Sequence, residues 1–584
     1  MIEDEPTSEP TRDSTRRTYL KALATASGFA ATGGAGLELA TGRAAAASAG
    51  NYGLRKLTND GSEAAFYPQG PHAQYVAGQN TTFLVFRGPS ANPYAMSYDH
   101  GADSTTGPVQ IGTNPLPDYD EHGPPSLAVG DDGTLHVFYG CHTTTLQYAR
   151  STSAYDVNGW ENFDLDGLPD ATYTSMCVYD GTIYGIYRNG DHEYGVLIES
   201  SDRGDTWSDR VVADLTTGGN DHDDFYVVGD LSVVADNLHF SFTVSEGDAH
   251  DTNRQDIYHA LVDAPDDDPD ADGNVYAWDY TDLGSQITWS DLNACRIASQ
   301  DETWSVNHAY DPAADEIHVQ YQNDANGDGT WEWEITTIDR ANGTKSTQTI
   351  PNLQTATPAN YGRPRINDAG DLEAHVIAGS TDEGGDYHVS TYDGSSWTDA
   401  IVVAESSARE QARIAVVRDG LDELATMIAE GETSDSDQSI WAVGTNFDRP
   451  VEAIVDNADS SGVTVTGTWQ TSTWADDYVG SDYLHDGDAG KGSKSVEFTP
   501  DLQEGGTYDV SIYWNTTDSR ASSVPIDVAY DGGSNTVTVD MTTNGGQWNV
   551  IGSYDFTAGT GESVTVRNDG TSGYVIADAV KFER

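Results

Sequence analysis

The chain has 584 residues, too many for one hydrophobic core, so two or more domains are expected. It carries 28 Lys+Arg against 95 Asp+Glu, a formal net charge of −67, which argues against nucleic acid as a partner because phosphate binding needs a basic patch. Aromatic residues make up 10% and β-branched runs are many, which argues against an acidic disordered chain.

The N-terminus reads as an export address. Thr15-Arg16-Arg17-Thr18-Tyr19-Leu20-Lys21 has the twin-arginine pattern, followed by a short, weakly apolar stretch from Ala22 to Ala40 and by Ala44-Ala45-Ala46-Ala47-Ser48-Ala49. Residues 1–50 are therefore expected to be a signal peptide and a disordered lead, with the rest secreted. The apolar stretch is broken by Glu38, and no other segment is long and apolar enough to span a bilayer. The few lysines, Lys21, Lys56, Lys345, Lys491, Lys494 and Lys581, together with the acidity resemble the composition of haloarchaeal proteins. Such charge repels itself unless salt screens it.

From Asn51 onward short strands alternate with Asp/Gly/Asn turns. Thr81–Phe86, Thr134–Tyr139, Thr182–Tyr187, Leu238–Thr243, Glu316–Gln320 and Leu372–Ile377 are examples. Helical periodicity is almost absent. Strand–turn units repeating over some four hundred residues predict a closed radial architecture, a seven-bladed β-propeller over 51–449. Ser200-Ser201-Asp202-Arg203-Gly204-Asp205-Thr206-Trp207 fits the Asp-box pattern, and Thr391–Trp397 is a degenerate copy. Both are read as structural turns. His136, His239 and His318, each between a Leu or Ile and an apolar residue, are read as structural repeats. Cys141, Cys177 and Cys295 are an odd, scattered set, expected as buried free thiols.

Beyond Arg449-Pro450 the character changes. Ile454-Val455-Asp456-Asn457-Ala458-Asp459, Gly467-Thr468-Trp469, Gly505–Val510, Gly546-Gln547-Trp548 and Val575–Phe582 resemble the golvesin C-terminal domain, also found on xanthan lyases. The resemblance implies a β-sandwich over 450–584 with a carbohydrate-contacting role. Alternating apolar residues in Tyr508–Trp514 and Ser563–Arg567 support a sandwich independently.

The chemistry-bearing series starts with Glu121-His122-Gly123-Pro124-Pro125 and Gly140-Cys141-His142, whose histidines bracket one hairpin. Thr172-Tyr173-Thr174, Tyr187-Arg188-Asn189-Gly190, Phe225-Tyr226 and Asn253–Tyr258 follow. The series resembles the propeller-type ulvan lyases with BNR repeats, over roughly Leu54–Asn446. That resemblance implies β-elimination at a uronic acid. Arg188 matches the residue that neutralises the uronate carboxylate, which stabilises the enolate as C5 loses its proton. His122 and Tyr173 match the base and the acid, in either order, and His142 orients the pair or contacts the carboxylate. Tyr226, Asn253 and, as a fallback, Tyr258 match substrate-binding positions. Gly123 departs from the family, which has a polar residue there.

No cofactor is required by this chemistry. No Cys/His set for zinc is recognisable. Asp324, Asn326 and Asp328 form the first half of a calcium loop, although Ile335 stands where the bidentate Glu belongs, and a solvated acidic turn explains the run equally. The expected partner is an acidic polysaccharide, bound by a monomer. A sialidase-like hydrolase and a non-catalytic glycan-binding propeller remain as alternatives.

Overall fold

The computed structural model describes residues 52–583 except 63–64, 67–69, 118–119, 190–191, 193, 217–223, 228, 246–253, 264–272, 301–302, 325–328, 356–361, 379–384, 404–409, 432–437, 448–451, 460, 476 and 503–504. The twin-arginine stretch lies outside the described residues, as do Asn253, Asn326 and Asp328. The fold is all-β. The one α-helix among the described residues is the single turn Leu292–Cys295, and no described helix is long and apolar enough to cross a membrane.

Ten sheets form among the described residues, seven of them between Gly53 and Gly444. The strands expected from sequence become the second strands of six of these: Thr81–Arg87, Leu135–Tyr139, Thr182–Asn189, Asn237–Ser245, Glu316–Asn323 and Leu372–Ala378. The first strand, Gly53–Gly61, pairs antiparallel with Gln438–Gly444 in the last of the seven sheets, with Leu54 opposite Val443.

Strands from six of the seven sheets line one cavity of about 520 Å³. They contribute Gln74, Cys177, Ser232, Asn307, Arg363 and Val416. The core lies between neighbouring sheets rather than in one block. Phe138 and Tyr148 of one sheet bury against Tyr187 and Ile198 of the next.

Local turn chemistry holds the hairpins. In the Asp-box, Asp202 Oδ1 accepts the Thr206 N–H at 2.8 Å, and Ser200 Oγ accepts the Gly204 N–H at 2.8 Å. Trp207 then packs on Phe138 and Tyr148 of the adjacent sheet. His136, His239 and His318 are buried on second strands. All three cysteines are free and buried.

After Glu452 three sheets, of four, five and three strands, share one core cluster. Tyr508, Val510, Ile512 and Trp514 point into it from Gly506–Tyr513 and just beyond, and Val564 and Val566 from Ser563–Arg567. The two-residue alternation of these runs puts one face of each strand into the core.

Candidate active site

Two close backbone approaches bring His122 and His142 together. Gly123 has φ +81, and a Cβ on it would stand 2.9 Å from the Cys141 nitrogen. The Gly140 N–H donates to the Gly123 carbonyl at 3.0 Å. The loop before strand Ser126–Val129 therefore lies directly on the turn after strand Leu135–Tyr139. This accounts for the departure at Gly123, because no side chain fits there and positive φ favours glycine. The imidazoles stack with centroids 3.6 Å apart and planes 16° apart.

Asp120 lies beneath both rings. Its Oδ1 is 2.8 Å from His122 Nδ1, and its Oδ2 is 2.8 Å from His142 Nδ1. Burial raises the Asp120 pKa, but the hydrogen bonds from His142 and His122 outweigh it and hold the carboxyl below its ordinary range. Burial, followed by the nearby His142 and opposed by Asp120, pushes His122 below the ordinary histidine value. The three donor atoms lie within 4.8 Å of one another, the spacing of a metal site. Each Nδ1 sits at hydrogen-bond distance from its own carboxylate oxygen.

Tyr173 comes from the neighbouring sheet. In strand Ala171–Tyr179 the register with Thr182–Asn189 slips between Thr172, opposite Arg188, and Ser175, opposite Ile186. Tyr173 sits in that slip at φ 59. The left-handed region costs a bulky residue roughly 1–3 kcal/mol and collects at functional sites. The ring is held by Tyr226, Ile257 and Val306, and its hydroxyl lies 3.2 Å from His122 Nε2.

Arg188 is fully buried, and among the described residues none of its three guanidinium nitrogens has a hydrogen-bond partner. Its guanidinium lies 4.8 Å from the Tyr173 ring centre and 4.7 Å from that of Tyr226. Arg254, which sequence reasoning left without a role, places a second guanidinium 4.2 Å from the Tyr226 ring.

His122, His142, Tyr173, Arg188 and Tyr226 thus converge from three sheets. The Tyr258 ring stacks on Phe242 at 5.0 Å inside a neighbouring core cluster. Asp324 is buried, with Oδ2 accepting the Gly329 N–H at 2.9 Å. Tyr173 and Arg188 are buried core residues as well as site residues. Asp120 was missed although it stands two residues before His122; the signal was a carboxylate beside a loop histidine. None of the residues lining the central cavity belongs to this cluster.

Two family models match the chain: a BNR repeat-containing family member over residues 80–350 and the golvesin C-terminal domain over residues 453–584. A xanthan lyase of Bacillus sp. (strain GL1) is 44% identical over 168 residues, 27% of this chain and 18% of that protein. An ulvan lyase of Alteromonas sp. (strain LOR) is 29% identical over 164 residues, 24% of this chain and 33% of the other. An ulvan lyase of Pseudoalteromonas sp. (strain PLSV), described as PL25, is 28% identical over 227 residues, 33% and 45% of the two chains. The chain spans less than half the length of each of these curated relatives. A solved PL25 ulvan lyase structure superposes with a TM-score of 0.54 at 18% identity, covering 67% of this chain and 95% of the other, which shows a shared fold.

Proposed function

We propose that the chain is a secreted polysaccharide lyase that cleaves a uronic-acid-containing, ulvan-like polymer by β-elimination. Seven successive sheets between Gly53 and Gly444, six of them lining one cavity, with the first strand Gly53–Gly61 paired into the last sheet, support reading 51–449 as a seven-bladed propeller. The observation that carries the function is the Tyr173 hydroxyl on His122 Nε2 beside a buried guanidinium that lacks an acceptor. A buried cation without an anion is costly, and its field reaches several ångströms in a poorly screened interior. An anionic substrate supplies the missing charge.

In this scheme the C5–H bond breaks and its proton passes to the Tyr173–His122 pair. The electrons form the C4–C5 double bond as the C4–O4 bond breaks, and O4 takes a proton from the same pair. Arg188 stabilises the negative charge on the way. No metal or cofactor takes part. The C-terminal sandwich holds glycan while the propeller cuts.

The test is incubation of the full mature chain with uronate polymers in high salt, followed by ultraviolet absorbance of the new conjugated double bond. Growth of that absorbance with ulvan or a similar polymer is expected. Binding to such polymers with no absorbance change from any of them would replace the lyase with a glycan-binding propeller.

A further inference from the structure

One carboxylate serving two stacked imidazoles is unusual enough to ask what it enforces. An ionised carboxylate only accepts hydrogen bonds. Each Nδ1 at 2.8 Å from its own Asp120 oxygen must therefore carry a proton. In a neutral imidazole the other nitrogen is then a lone pair. Both Nε2 atoms consequently face away from Asp120 as acceptors. The Tyr173 hydroxyl occupies that of His122 at 3.2 Å. The loop carrying Asp120 is tied in place on both sides. The His122 N–H donates to Asp120 Oδ1 at 3.0 Å, and Arg413, from the last sheet, donates to Glu121 Oε2 at 2.8 Å.

We propose that Asp120 is the positioning residue of the site, locking His122 and His142 in one tautomer so that both Nε2 atoms present lone pairs, one to Tyr173 and one to a substrate hydroxyl. Its consequence for turnover rests on the lyase reading, whereas its effect on the tautomers does not. The family resemblance left His142 either to orient the pair or to contact the substrate carboxylate. The geometry makes His142 a second acceptor and gives the orienting task to Asp120. Stacking at 3.6 Å also means that the pair does not hold two positive charges at once, because like charges that close repel and only one carboxylate faces them. The pair therefore handles one proton at a time, the number β-elimination moves in each direction.

Asp120→Asn is the decisive change, because it keeps the shape and halves the accepting capacity. The amide has one oxygen and an NH₂ that donates. One histidine keeps Nδ1–H, and the other has to meet a donor with a bare Nδ1, which moves its proton to Nε2. Nitrogen NMR of the full chain with labelled histidines, assigned through His122→Gln and His142→Gln, reads this directly. The wild type is expected to show both residues protonated at Nδ1, and Asp120→Asn to show one flipped. In the lyase assay kcat is expected to fall by about 10²–10⁴-fold, the range for losing a correctly placed acid or base, with KM little changed. Asp120→Glu, which retains two acceptor oxygens, is expected to keep both tautomers and to turn over faster than Asp120→Asn.

An Nε2–H tautomer at either histidine in the wild type overturns the proposal. So does Asp120→Asn with both tautomers unchanged, or Asp120→Glu no better than Asp120→Asn. If the wild type cleaves no uronate polymer, the lyase reading fails while the tautomer measurement still decides the role of Asp120.

Discussion

At the scale of single residues, the site combines strain at Tyr173 with an unanswered charge at Arg188. His122→Ala and Tyr173→Phe are each expected to lower turnover by about 10²–10⁴-fold. The double variant is expected to fall well short of the product, because the two share one hydrogen bond. Steady-state rates on a uronate polymer check this, and multiplicative losses would separate the two residues. Arg188 calls for a different experiment. Its guanidinium is buried without an acceptor, so Arg188→Met should abolish turnover while leaving the fold as stable or up to about 2 kcal/mol more stable, as replacement of buried charge by apolar volume often does. Denaturant unfolding alongside the rate assay reads both; marked destabilisation would mean that its contacts with Tyr173 and Tyr226 hold the core. His122 and Arg188 were legible in the sequence through the order of motifs that resembles the propeller-type ulvan lyases. The burial of Arg188 was not, since it depends on rings from two different sheets.

At the scale of elements, turns and strand ends decide which side chains meet. Gly123→Ala introduces a Cβ 2.9 Å from the Cys141 nitrogen at φ +81. The 120–123 loop should lift from the 140–142 turn, separating the two imidazoles, with a loss of turnover greater than the loss of stability. Rates and melting temperatures of that variant give the comparison, and an unchanged rate would mean that the loop adapts. The second strands carry a further consequence. Burial pushes His136 and His318 down to about 4, and His308, on the first strand Thr303–Asp311, to the same value. Unfolded histidine titrates near 6.5, so between about 6.5 and 4 the unfolded chain binds more protons. Stability is therefore complete above the unfolded value and declines as pH falls through that window. Melting at fixed high salt is expected to show a lower midpoint at pH 5 than at pH 8. A flat profile would place these histidines in contact with water.

At the scale of the whole molecule, charge dominates. A net charge of −67 is screened over about 3 Å at 1 M salt but only over about 30 Å at 0.01 M. Dilution into tens of millimolar salt is expected to abolish tertiary structure, followed by near-ultraviolet circular dichroism. Full retention of the signal without divalent ions would show that the acidic surface tolerates its own repulsion. The all-β organisation was legible throughout because turn residues and two-residue alternation are local signals. The closure of Gly53–Gly61 onto Gln438–Gly444 was not, since strands nearly four hundred residues apart carry no mark of their pairing.

The sequence by itself determined the strands, the Asp-box turn and the buried thiols, because each depends on side-chain type and near neighbours, while the family resemblance named the five converging residues His122, His142, Tyr173, Arg188 and Tyr226. Tertiary structure alone decided that Asp120 binds two histidines, that the Tyr226 ring faces Arg188, and that Tyr173 sits left-handed in a register slip. The physical reason is the same in each case. A slip of one residue turns a side chain to the other face of a sheet, and only the packed neighbours from other sheets settle which face that is.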